Sequence, residues 1–187
     1  MAVLPGSPSA PLDEAIILAL GGNLAGDYSS VQALLEAALS HFPRAGLRIV
    51  RRSGWWRSAA WPDPSAPAYL NGVALVETKL GPREALQAAL RIERAFGRRR
   101  GEPNAPRTLD IDLIAYGRRV IDEPGLAVPH PRAAERRWVM GPLAEIAPAW
   151  VHPSLGKTAA ELAANANVGA DARPVRPPAS SAAGAGL

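Results

Sequence analysis

Cysteine is absent from this 187-residue chain, which excludes disulfides, zinc–thiolate centres and iron–sulfur clusters. Aromatics are scarce at 5%, and none sits in the Arg/Lys-Gly-Phe/Tyr pattern of an RNA-reading sheet. Lysine is almost missing: Lys79 and Lys157 are the only two among 21 basic residues, and arginine supplies the rest. No apolar run approaches the roughly 20 residues needed to cross a bilayer. The first 13 residues also lack the charged-then-apolar pattern of a secretory signal. A cytoplasmic protein with no membrane partner is the expectation.

Hydrophobic residues make up 48% of the chain and the net charge is +4, a composition that suits one domain with a real core. Residues 1–13 are rich in Pro, Ser and Ala and read as a flexible arm. Residues 168–187 carry too little bulky apolar content to pack and read as a disordered tail, which leaves 14–167 as the folded domain. Within it, 15–20 is a short apolar run ending at Gly21-Gly22-Asn23, a buried strand followed by a turn. Val31, Leu34, Leu35, Ala38 and Leu39 recur at helical spacing, with Ser29 or Ser30 as N-cap. Residues 47–56 read as a strand, 59–67 as a proline-rich loop, and 69–78 as an alternating strand with Tyr69, Asn71, Val73 and Leu75 on one side. A helix over 82–96 has Pro82 in its first turn and Gly97 as its stop. A strand over 108–116, paired with Val120-Ile121, and helices within 133–146 and 161–165 complete the pattern. The order β-α-β-β-α-β makes the fold class α+β, a ferredoxin-like core with additional C-terminal helices.

The densest chemistry lies between Arg98 and Leu113. In a strand, Asp110 and Asp112 point to one face and Leu109, Ile111 and Leu113 to the other, which sets the carboxylates about 7 Å apart. Alone, such a pair fits a solvated sheet face. Arg98, Arg100 and Arg107, just upstream, change that reading. Arginine forks suit phosphate, and paired acids bind magnesium sparingly, leaving positions for substrate phosphates. A pocket with both signs favours a magnesium nucleotide over bare nucleic acid, because fixed acids repel an unaccompanied phosphodiester. Gly21-Gly22-Asn23-Leu24 lacks a following Gly-Lys-Ser/Thr and is no Walker loop; its glycines fit strand-end geometry. Pro129-His130-Pro131-Arg132 presents a histidine rigidly, and Arg136 and Trp138 follow it closely. Tyr69 and Asn71 share a strand face, and an aromatic with an amide suits a flat heterocycle, with Trp138 available for the opposite side of a stack.

In order and spacing these blocks resemble the 6-hydroxymethyl-7,8-dihydropterin pyrophosphokinase family. The likeness rests on Leu20-Gly21-Gly22-Asn23-Leu24, Tyr69-Leu70-Asn71, Gly97-Arg98-Arg99-Arg100, Pro106-Arg107-Thr108-Leu109-Asp110-Ile111-Asp112 and Val128-Pro129-His130-Pro131-Arg132. It implies a diphosphotransferase of folate biosynthesis, which moves the terminal diphosphate of ATP onto the hydroxymethyl oxygen and releases AMP. By the same resemblance Asp110 and Asp112 hold two magnesium ions. Arg98, Arg100, Arg107, His130 and Arg136 contact phosphates, with Arg98 and Arg107 stabilising charge during transfer. Tyr69 and Trp138 sandwich the pterin, Asn71 reads its edge, and Ser58 lies beside it. Glu93, Leu113 and Leu126 fall near the nucleoside. The chain departs from the family's usual pattern at Gly22, at Trp138 where Phe is frequent, and at Pro103-Asn104, where some members carry an Arg-Trp pair in a loop one residue longer. A monomer acting on ATP and the dihydropterin, with no nucleic-acid partner, is expected. The alternative is a ferredoxin-like RNA-binding module using the arginine patch, which Asp110 and Asp112 would oppose.

Overall fold

Strand β1 (Ile16–Gly22) is buried along its whole length and divides the interior in two. Its residues alternate: Ile16, Leu18 and Leu20 enter one core, Ile17 and Ala19 the other. A strand covered on both faces needs apolar residues at every position, so this segment shows no polar alternation. The computed structural model describes residues 12–60, 63–97 and 108–175.

After β1 come α1 (Val31–His41), β2 (Arg48–Arg52), β3 (Trp56–Ser58), β4 (Tyr69–Glu77) and α2 (Pro82–Ala95). Then follow β5 (Asp110–Tyr116), β6 (Ile121–Glu123), β7 (Leu126–Val128), α3 (Arg137–Ile146), α4 (Ala159–Asn165) and β8 (Arg173–Pro174). The main sheet runs β5-β1-β4-β3-β8, with β2 also on β4, and every pairing is antiparallel. Helices α1 and α2 cover one face; α3 and α4 cover the other. This is the ferredoxin-like arrangement, with β2 and β3 sharing the edge position beside β4 and α3 and α4 added behind.

Local signals explain the helix starts. Ser30 has extended backbone and its hydroxyl accepts from Ala33 N, so it caps α1. Thr158 and Glu161 form a capping box at α4, which begins at Ala159 and therefore includes the expected 161–165. Gly97 ends α2 with φ +77°, a conformation that L side chains rarely adopt.

Three expectations are corrected. The single strand over 47–56 is two strands, because Ser53 and Gly54 interrupt it; Gly54 N donates to Glu145 of α3 rather than to a neighbouring strand. Ile121 pairs with Val128 in a separate two-stranded ribbon, not with β5, because Gly125 at φ +76° turns the chain back so that β6 meets β7 as a local hairpin. Residues 168–175, expected to be disordered, are hydrogen-bonded to α3 and β3 and end in β8. At the other end, Leu12–Glu14 form a 3-10 turn and Leu12 packs on the α3-side core. The remainder of the expected arm and tail lies outside the described residues.

Candidate active site

One end of the sheet's α3-side face is left open, and the register dictates what lies there. Gly21 of β1 is flanked by Asp110 of β5 on one side and Asn71 of β4 on the other. Ala19 faces Asp112, and Ser58 of β3 faces Tyr69. With strands 4.7–4.9 Å apart, Asp110 and Asn71 sit about 10 Å from each other across β1. The period-2 expectation for β5 holds: Asp110 and Asp112 are half-exposed, while Ile111 and Leu113 are buried against α2.

Arg132, Arg136, Trp138 and Val139 close the cleft over Gly21, Ser58, Ala59, Tyr69, Asn71, Asp110 and Asp112. Asn71 is buried and its amide nitrogen donates to Ser58 Oγ at 3.1 Å. A Cβ added at Gly21 would stand 2.7 Å from Asn71 Oδ1 and 3.0 Å from the Leu70 carbonyl oxygen. Gly21 therefore serves the cleft floor, beyond the strand-end role expected of it.

Arg136 connects the two halves of the cleft. Its guanidinium lies 3.9 Å from Asp112 Oδ2 and its central carbon stands 5.8 Å from the Trp138 ring centroid. The buried Arg136 Nε has no hydrogen-bond partner, so the site keeps a donor in reserve for an oxygen ligand. Burial pushes the Arg136 guanidinium below its usual value, opposed by Asp112 and reinforced by Arg132.

His130 is half-buried, and its backbone N donates to Ile114 O at 2.8 Å, which fixes it beside the acid strand. Its Nδ1 accepts from Arg132 N at 3.2 Å, so the neutral ring carries its proton on Nε2. Burial is the largest influence on His130 and lowers its pKa; Asp112 opposes this and Arg136 adds to it.

The structure thus brings together Ser58, Tyr69, Asn71, Asp110, Asp112, Arg136 and Trp138 as lining residues, with His130 behind the acids. Glu93, Leu113 and Leu126 do not line this cleft. All are buried in the core between sheet and α2, where Glu93 accepts from Ile111 N at 2.6 Å. For Glu93 that bond holds the acid-bearing strand from behind. Arg98, Arg100 and Arg107 lie outside the described residues. Sequence reading missed Gly21 and Arg132 as cleft residues. The signal for Gly21 was its place between two strands whose pairing was not yet known; for Arg132 it was the run Pro129-His130-Pro131-Arg132 itself.

Hard-oxygen donors facing an open cleft suit a divalent cation that shares substrate phosphates. Among the described residues no group of three His, Asp or Glu side chains is placed to hold a metal ion. No helix among them is long and apolar enough to cross a membrane.

Comparison with known proteins gives a consistent picture. The family model for 7,8-dihydro-6-hydroxymethylpterin-pyrophosphokinase matches residues 17–148. A Synechocystis protein named 2-amino-4-hydroxy-6-hydroxymethyldihydropteridine pyrophosphokinase is 45% identical over 147 residues, covering 78% of this chain and 73% of its own. A Methylorubrum extorquens protein of the same name is 39% identical over 132 residues, covering 70% of this chain and 81% of its own. Among solved structures, a Plasmodium falciparum HPPK-DHPS triple mutant with pteroate superposes with a TM-score of 0.64 at 12% identity. That match covers 86% of this chain but only 46% of the longer one, and at this identity it speaks to fold alone.

Proposed function

This chain belongs to the 7,8-dihydro-6-hydroxymethylpterin-pyrophosphokinase family, and from that premise we propose how its cleft works. It transfers a diphosphate from ATP to 6-hydroxymethyl-7,8-dihydropterin, giving the dihydropterin diphosphate and AMP in folate biosynthesis. The observation that carries this reading is the placement of Asp110 and Asn71 on either side of Gly21, which puts an acid pair and a ring-reading amide in one open cleft.

Tyr69 and Trp138 bracket the pterin, and Asn71, oriented by Ser58, reads its polar edge. The hydroxymethyl group then points along the cleft toward Asp110 and Asp112. Its oxygen attacks the β-phosphorus in line and gives up its proton to water; the bond from that phosphorus to the α-phosphate's bridging oxygen breaks and AMP leaves. Asp110 and Asp112 would hold two magnesium ions, which would supply neutralisation of the phosphate charge. Arg136 offers its unpaired Nε–H to a phosphate oxygen, and His130 donates from Nε2. Arg98, Arg100 and Arg107 contact the triphosphate, with Arg98 and Arg107 stabilising the charge that develops. Little covalent work falls to the protein; positioning and electrostatics do most of it. The RNA-binding alternative is disfavoured, since the same face carries Asp110 and Asp112, which repel a phosphodiester backbone.

The test is AMP release from ATP and magnesium with and without the dihydropterin. Pterin-dependent AMP is expected, and its absence sinks the assignment. Asp112→Ala should lower kcat by about 100-fold or more; full activity in that variant would refute the metal role.

A further inference from the structure

Both walls of the ring slot are held from outside by one short stretch of chain, residues 168–174. Val168 O accepts from Arg137 N at 2.9 Å, and Val168 N donates to Glu135 O at 3.0 Å. Arg136, the residue before α3, makes no side-chain cap bond, so Val168 supplies the acceptor that the first helical N–H lacks. One residue later, Gly169 lies against the Trp138 ring. Its φ is +69°, and a Cβ there would land on Trp138 Cε3 and Cζ3. The chain then turns at Ala172, whose N donates to Gly169 O at 2.9 Å. On the opposite wall, Asp171 Oδ2 accepts from Ala59 N at 2.5 Å, next to Ser58. Arg173 and Pro174 pair with Arg57 and Trp56, which anchors β3 along the same edge.

Trp138 and the Ser58-Ala59 segment come from elements far apart in sequence, and both line the cleft. We propose that Gly169 and Asp171 are positioning residues for pterin binding: between them they fix the spacing of Trp138 from the Ser58-Ala59 wall. Gly169 sets how far the indole can retreat, because only a residue without a side chain lets it rest there. Asp171 keeps the Ala59 backbone turned toward its carboxylate, which holds Ser58 where its hydroxyl meets Asn71. The bond from Asp171 runs to Ala59, on the ring side of the cleft, whereas Trp138, against which Gly169 lies, also faces the Arg136 guanidinium. The inference rests on the pterin slot proposed above.

The experiment compares KM for each substrate with kcat in the full chain. In Asp171→Ala the KM for the dihydropterin is expected to rise about 10-fold while the KM for ATP stays within about twofold. Asp171→Asn, which keeps an oxygen that can accept the Ala59 N–H, should recover most of that loss. Gly169→Ala, checked for folding by its thermal transition, should raise the dihydropterin KM through displacement of Trp138. A parallel rise in both KM values, no rise in either, or no recovery in Asp171→Asn would overturn the proposal. A wild-type chain that releases no pterin-dependent AMP overturns both this inference and the reading beneath it. A wild type that turns over beside an unaltered Asp171→Ala overturns this inference alone.

Discussion

At Gly21 a missing side chain makes room for a neighbour. Asn71 Oδ1 lies within 2.7 Å of where a Cβ would be, and the Leu70 carbonyl is close behind. Gly21→Ala should therefore push the Asn71 amide off Ser58, raising the dihydropterin KM about 10-fold with the ATP KM unchanged. Overpacking of this kind should also lower stability by ~1–3 kcal/mol, readable as an earlier urea midpoint. An unchanged dihydropterin KM would show that the amide has room to move. Single residues were legible where they carry chemistry: Asp110, Asp112, Tyr69, Asn71, Arg136 and Trp138 all meet in the cleft. Gly21 was not, because a glycine's value here comes from a cross-strand partner that appears only once register is known.

Among the elements, β5 depends on a buried carboxylate of α2. Glu93 is 2% exposed and accepts the Ile111 N–H at 2.6 Å, between the two acids of the cleft. Glu93→Ala strands that donor, and its expected effect is a loss of ~1–3 kcal/mol in stability. Because Ile111 separates Asp110 from Asp112, kcat should fall too, even at temperatures where the variant is folded. Urea unfolding and AMP release on the same preparation check both; a stable variant would show that the Ile111 donor finds another acceptor. Helix α3 is tied in a similar way: Glu145 accepts from Gly54 N at 2.7 Å and from Trp56 Nε1 at 2.8 Å. Periodicity made most elements readable, as in β4, whose Val73 and Leu75 enter one core while Ala74 and Val76 enter the other. It did not reveal the break between β2 and β3, where Trp55 and Trp56 are both buried and alternation is lost. Nor did it reveal residues 168–175, which are held by backbone bonds, one glycine and one carboxylate. Such holds leave no hydrophobic signature.

For the molecule as a whole, acid sensitivity should follow from the buried imidazole of His152 and the half-buried one of His130. His152 is 6% exposed and its Nδ1 accepts from Ser154 N and Leu155 N, both at 3.2 Å. Burial lowers its pKa from the ordinary 6.5, so the folded state favours the neutral ring. The unfolded chain takes up a proton first as pH falls below about 6.5. Stability from this group is thus fully present above that value and is lost progressively below it. Thermal transitions measured from pH 8 to pH 5 should fall on the acid side. His152→Asn, with an oxygen in place of Nδ1, should flatten part of that slope; His130, shifted in the same direction, accounts for the part that remains. An undiminished slope in His152→Asn would assign the effect elsewhere. Strand β1 has a consequence of a different order. Gly21 and Ala19 stand between the acids and Asn71 with its neighbours, so the spacing of the two sides of the cleft is set by the width of a single strand. The sheet's hydrogen-bond ladder acts as a ruler. Outer loops can lengthen or shorten without changing that spacing, whereas one residue inserted into β1 ahead of Ala19 would turn Ala19 and Gly21 away from the cleft and put Asp110 and Asn71 out of step across it.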